Sequence, residues 1–335
     1  MFQRRQFILS SLSLLGASLG ASLGASLGAS PSRAGTSKYP DRPIRLIVPF
    51  AAGGGVDVFA RLLAEKMRQA HGYSFVVENR PGANGAIGGG AVRNAEADGY
   101  TLLFSASTHV MAQHVMKNAP YDPLTDFAPI ARVGEAPMMI VMSPSLAPND
   151  LGEMIAAARA TPDKWMFAVS ALGAAGHLAT IDFNRRAGLD LTIVPYRGTA
   201  PGLNDVAAGH IQLMIDPVLA LLPMANDKQV KGLAVTTVKR TALAPAYPTA
   251  SEQGLAGFDH SSWYGVWGPK TLPASLIAHL NETINDAVRQ LAAEEHLARL
   301  GLEPVTETPS AFDAFAQQYV GRNAELLKLA KYEPV

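Results

Sequence analysis

The chain has 335 residues, 28 basic and 28 acidic side chains, and no cysteine. The missing cysteine excludes disulfides, thiol nucleophiles, thiolate metal sites and a lipidated N-terminal Cys. The balanced charge offers no clustered basic face, so no nucleic-acid partner is expected.

Residues 1–34 have the grammar of an export signal. Arg4 and Arg5 come first, Ile8 to Ser30 is uncharged, and Ser32-Arg33-Ala34 places small residues around a cleavage site. The uncharged stretch repeats Ala-Ser-Leu-Gly at 17–20, 21–24 and 25–28. Its Ser and Gly content is too polar for a retained membrane span, which needs about 20 strongly apolar residues. Arg4-Arg5 before Gln6-Phe7-Ile8-Leu9 also looks like a twin-arginine signal. The expected location is therefore the periplasm, with the signal removed near residue 34. Three basic residues and no acidic ones lie in 1–34, so the remainder carries a net charge of −3. A slightly acidic protein that binds an anion must do so with local dipoles rather than bulk charge.

Short apolar runs then alternate with helical patterns. Ile44–Val48 reads as a buried strand that stops at Pro49 to Gly55, and a helix is expected to start near Asp57, with Phe59, Leu62, Leu63 and Met67 on one face. Phe75–Val77 and Thr101–Phe104 read as strands, with a glycine-rich and then helical stretch, 82–94, between them. This βαβαβ run implies a parallel sheet. The grammar repeats after the apolar run Met138–Met142. A helix is expected over 151–159, a strand over Met166–Val169, and a helix from the turn Ser170–Gly173 to about Arg186. Strands Leu191–Val194 and Leu213–Ile215 flank a helix over 202–208, and Leu233–Val235 is one more strand. The direction changes near Trp263-Tyr264-Gly265-Val266-Trp267, residues expected in the hinge and core. Two long helical patterns, 274–293 and 310–329, close the chain. The expected fold is α/β, with one lobe from 35–138 plus 264–335 and a second from 139–263. Two crossings, near 136–143 and 259–267, form a hinge.

Two strand-to-helix turns carry the binding expectation. In the first, Phe50, Ala51, Ala52, Gly53, Gly54 and Gly55 lead into a helix whose unpaired N–H groups and positive dipole end suit an anion. Gly54 is the position where a branched side chain would block close approach. Asp57 is expected to cap the helix or to fix the loop, since a carboxylate would repel a directly bound anion. The second turn holds Ser170, Gly173, Ala174, Ala175 and His177, with His177 read as a packing or capping residue rather than a general base. Asp216, at the end of the strand 213–215, is expected beside the ligand. Facing one another, the two turns would clamp a small molecule with acid groups.

Enzyme motifs fail on spacing. Gly53-Gly54-Gly55 and Gly82, Gly85, Gly88 do not make a dinucleotide fingerprint, and neither a phosphate-binding loop nor a serine nucleophile elbow occurs. His109 and His114 lack the frame of a zinc site. No cofactor, metal or catalytic residue is expected. The alternatives to a transport receptor are a ligand-presenting sensor and an enzyme on a similar fold.

The residues Tyr39-Pro40, Val48-Pro49-Phe50, Gly53-Gly54, Asp57, Val77-Glu78-Asn79-Arg80-Pro81-Gly82-Ala83, Pro120-Tyr121-Asp122-Pro123 and Val194-Pro195-Tyr196-Arg197-Gly198 belong to one pattern. It continues through Leu233-Ala234-Val235-Thr236-Thr237, Arg240, Pro248-Thr249, Gly257-Phe258 and Trp263. From about Tyr39 onward the chain resembles the substrate-binding proteins of tripartite tricarboxylate transporters, the Bug family. The resemblance implies a two-lobed, Venus-flytrap fold of the type II periplasmic-binding-protein kind. It also implies a monomeric receptor whose two turns hold ligand carboxylates, and membrane transport subunits as partners. One departure stands out: Ala171 and Ala174 occupy positions where the family usually has Gly and a Ser or Thr.

Overall fold

Sixteen consecutive residues, Phe127–Met142, form one strand that the rest of the molecule is built around. The structure is a computed structural model and describes residues 39–335. The export-signal expectation lies outside the described residues. In chain order come β1 (Ile44–Val48), α1 (Gly55–His71), β2 (Phe75–Asn79), α2 (Ala86–Arg93), β3 (Thr101–Ala106), the single turn α3 (Ala112–Val115) and the long strand, β4. There follow α4 (Leu151–Ala160), β5 (Met166–Val169), α5 (Ala175–Ala187), β6 (Thr192–Pro195), α6 (Thr199–Ala208), β7 (Leu213–Pro217), α7 (Val218–Asn226) and β8 (Lys231–Val235). The chain ends in β9 (Ser261–Pro269), α8 (Ala274–Ala293), α9 (His296–Arg299), β10 (Glu303–Pro304) and α10 (Pro309–Leu329).

The sheet order is β2-β1-β3-β9-β4-β7-β5-β6, with β8 and β10 also pairing to β4. β1 is parallel to both β2 and β3, and β5 is parallel to both β6 and β7, as the alternating pattern implies. β9 and β4 are antiparallel insertions. β4 pairs with β9 from Phe127 to Pro137, with β7 from Met138 to Met142 and with β8 from Met139 to Met142. One strand thus serves two sets of neighbours.

Sequence reasoning saw only the second half of β4. Pro129, Gly134 and Pro137 weaken the strand signal in its first half. The pairing with β9 absorbs the first two through register shifts between Pro129 and Ala131 and between Arg132 and Gly134, while Pro137 falls at the last β9 pair, where β4 changes partners. Trp263 to Trp267 is the middle of β9, so the expected change of direction there is a buried strand. Helix α7 was not expected, because it is apolar all round and contains Pro223. The first-turn helix begins at Gly55, two residues before Asp57.

Each sheet face is covered by the apolar stripe of a helix. On one face Phe59, Leu63 and Met67 of α1 meet Leu46, Phe104 and, from α8, Leu280 and Ile284. On the other, Trp263 and Trp267 pack edge-on or tilted against Phe312 of α10, with ring centroids 5.8 and 5.2 Å apart. Leu178 and Ile181 of α5 join this second cluster. The remaining core lies under α4 and α5, and under α6 and α7. Burying large side chains such as these contributes about 1.5–3 kcal/mol each. Some helix ends are closed by their own sequence. Thr308 accepts the N–H of Ala311 at 3.2 Å ahead of Pro309, and Asp150 accepts that of Glu153 at 2.8 Å.

Candidate binding cleft

The first turn leaves β1 and enters α1 through Ala51–Gly55, all of them exposed. Gly53 has φ +82°, a conformation that side chains disfavour, while Gly54 has φ −77° and ψ 166° and is the N-cap. The positive φ therefore belongs to Gly53. A Cβ on Gly54 would meet only the Ala51 carbonyl, at 3.6 Å. No side chain caps α1, so its first N–H groups remain free for another acceptor.

Asp57 is not the N-cap. It is the third helical residue, 3% exposed, and its carboxylate ties the loop together. It accepts the N–H of Gly53 at 2.8 Å, Arg61 Nε at 3.0 Å and Asn79 Nδ2 at 2.9 Å. Asn79 Nδ2 also donates to the Phe50 carbonyl at 3.0 Å, and its own oxygen accepts Arg61 Nη2. Burial alone would raise the Asp57 carboxyl. The hydrogen bonds from Arg61, Gly53 and Asn79, with the Arg61 charge, outweigh it and hold the group below its ordinary range. Arg61 cancels the charge that would repel an incoming anion. Sequence reasoning missed Arg61 and Asn79. The i, i+4 spacing of Asp57 and Arg61 was legible; the contribution of Asn79 needs β2 beside β1.

The second turn leaves β5 and enters α5. Gly173 has φ +74° and Ala174, the N-cap, has φ −64° and ψ 156°. No side chain caps this helix either, although Ala174, Ala175 and His177 are buried, at 9%, 5% and 1% exposure. Among the described residues no acceptor meets the N–H groups of Ala175, Gly176 or His177. A buried helix end with unmet donors is a place where a ligand or water is accommodated at low cost. His177 Nδ1 accepts the Gly173 N–H at 3.0 Å, and burial lowers the imidazole to about 4, so the ring is neutral.

Asp216 stands at the end of β7, 2% exposed. It accepts the hydroxyl of Ser170 at 3.2 Å and that of Thr199, the first residue of α6. Burial pushes its carboxyl up to about 6, against the opposing pull of the two hydroxyls. Asp216 thus anchors the start of the second turn to the start of α6; the Thr199 contribution was not anticipated.

The two turns are linked through their neighbours. A Cβ on Gly85 would lie 3.9 Å from the Phe50 ring, and the adjacent Asn84 donates to the Leu172 carbonyl at 2.8 Å. A Cβ on Gly173 would lie 3.0 Å from Val115, and one on Gly55 would lie 3.3 Å from Leu219 of α7. Each turn thus packs against an element from the other part of the sheet. Asn84 is held at φ 52°, a conformation Asn tolerates. Its reach to Leu172 spans 88 positions of sequence.

Two helix starts without capping side chains invite comparison with known receptors. Residues 59–331 match the Tripartite tricarboxylate transporter family receptor. The chain belongs to that family. Protein BugT of Bordetella pertussis is 37% identical over 292 residues, which cover 87% of this chain and 90% of BugT. The structure of the periplasmic binding protein BugD is 36% identical, with a TM-score of 0.82 over 89% of this chain and all of BugD. An R. palustris protein solved with adipate is 33% identical, with a TM-score of 0.84 over 89% of this chain and all of that protein. The fold of this receptor is therefore the α/β fold of the Bug periplasmic binding proteins. Among its described residues no helix is long and apolar enough to cross a membrane, and no group of three or more His, Asp or Glu could hold a metal ion.

Proposed function

We propose that this receptor is exported to the periplasm and closes two lobes around a small organic acid, for delivery to membrane transport subunits. The carrying observation is the buried, uncapped start of α5, with an equally uncapped α1 in the other part of the sheet. Backbone N–H groups at a helix start hold a carboxylate well, because donors and dipole act together. Adipate in the related R. palustris protein supports a carboxylate-bearing ligand. The proposed ligand contacts are Phe50 to Gly55 and Ser170, Gly173, Ala174 and Ala175, with Asp57, His177 and Asp216 supporting them. The lobes are 35–138 with 264–335, and 139–263. The exchange of partners along β4, and β9 beside it, supports a hinge near 136–143 and 259–267.

A thermal-shift screen of mono-, di- and tricarboxylates, adipate included, tests the reading. A ligand at about 100 times its Kd stabilises the fold by about 2.7 kcal/mol, and the same ligand should compact the protein in small-angle scattering. Carboxylates that neither raise the melting temperature nor change the scattering curve would refute a two-lobe clamp. Export has its own test. The secreted product should be recovered from the periplasmic fraction with its N-terminus near Gly35. An intact Met1 on a membrane-embedded product rules that out.

A further inference from the structure

Both turns use one device. A glycine in the left-handed region, Gly53 or Gly173, precedes an extended N-cap residue, Gly54 or Ala174, that has no capping side chain. The N–H of that glycine is then taken by the side chain of the third helical residue, Asp57 at 2.8 Å or His177 at 3.0 Å. Both acceptors are buried, at 3% and 1% exposure. The bond ties down that amide, one residue before the N-cap, and with it the peptide that leads into the helix. We infer that His177 is a positioning residue of the second turn, the uncharged counterpart of Asp57, holding Gly173 so that the unmet N–H groups of Ala175, Gly176 and His177 face the ligand. This rests on reading the two turns as the clamp.

The choice of imidazole follows from charge. In the first turn the Asp57 carboxylate is offset by Arg61, whose Nη2 lies 3.0 Å away. The second turn has no such partner among the described ion pairs. It already lies against Asp216, whose Oδ1 is 2.9 Å from the point where a Cβ on Gly176 would sit. Another carboxylate there would oppose an anionic ligand. A neutral imidazole supplies an acceptor without charge. Because Nδ1 accepts the Gly173 N–H, the ring proton must be on Nε2.

Three variants and one spectrum decide the matter. Nitrogen-15 shifts of the ligand-free protein at pH 7 should show His177 protonated on Nε2, and amide exchange at Gly173 should be slow. In His177→Leu that exchange should accelerate and adipate binding, read by calorimetry, should weaken about tenfold, the scale of one lost hydrogen bond. His177→Asn, which can accept as Asp57 does, should restore protection and bind within about threefold of the parent. His177→Asp should restore protection yet bind about as weakly as the leucine variant, because its charge has no partner. A proton on Nδ1, or Gly173 protection unchanged in His177→Leu, overturns the assignment without any ligand. Equal weakening in the leucine and asparagine variants overturns it as well. A parent that ignores adipate and every other carboxylate refutes the clamp instead, while the spectrum and exchange still decide the role of His177.

Discussion

Gly176→Ala is expected to lose about 2–3 kcal/mol of stability and to weaken binding of the proposed carboxylate ligand more than about a hundredfold. Gly176 is the second residue of α5, and a Cβ there would lie 2.1 Å from the carbonyl oxygen of Ile215. That oxygen cannot yield easily. Ile215 sits in β7, in register with Ile140 of β4. The start of α5 must move instead, taking the N–H groups of the second turn with it. The gain in helix propensity from Gly to Ala, about 1 kcal/mol at most, is smaller than the cost of such overpacking. Two charge-assisted hydrogen bonds lost at about 1.5–3 kcal/mol each give the drop in affinity. Thermal melts and calorimetry check both parts. A variant with parental melting temperature and parental Kd would show that α5 does not need its close seat on β7.

Asp182→Ala should destabilise the protein by about 3 kcal/mol. The Asp182 carboxylate, on a residue 4% exposed, pairs with His260 Nε2 at 3.0 Å and accepts Arg186 Nε at 2.7 Å and Arg185 Nη2 at 2.7 Å. Arg186 reaches on to the carbonyl of Ala256 at 2.6 Å. This knot ties α5 to the segment that leads into β9. Removing one partner of a buried pair costs about 3–5 kcal/mol. The lower end applies because the Arg185 side chain is 42% exposed and keeps much of its hydration. Burial would raise the Asp182 carboxyl, but His260, Arg186 and Arg185 together hold it well below the usual carboxylate range. A depressed folded value contributes stability that is present above the unfolded pKa, near 4, and lost as pH falls through the folded one. The stability gap between parent and variant should therefore be full at pH 7 and shrink below about pH 4. Denaturant titrations at several pH values measure it. A gap that stays constant down to pH 2 would show that the charge of Asp182 contributes nothing.

Most of the element order was legible in the sequence, because local patterns decide it. Alternating apolar runs and amphipathic stripes place β1, α1, β2, β5, α8 and α10 close to where they lie, and parallel pairing follows from their alternation. The two glycine-rich turns were legible for the same reason: the change from strand to helix and the glycines that permit it are neighbours in the chain. The first half of β4 was not, because Pro129 is tolerated through a register shift against β9, a partner about 130 residues away, and Pro137 only because it falls where β4 exchanges β9 for β7. For Asp57 the sequence left two roles open, a helix cap or an anchor of the loop; the fold selects the second by making it the third helical residue, with the Gly53 N–H on its carboxylate and Asn79 brought across from β2. The contact of Asn84 with the Leu172 carbonyl, and the hold of Asp216 on Ser170 and Thr199, likewise join residues that only the sheet order brings together. Sequence by itself determined which segments could offer free N–H groups to an anion. Tertiary structure decided which of them stay unmet. A helix start keeps its donors only where every nearby side chain is already committed elsewhere, and that depends on neighbours that the chain order does not name.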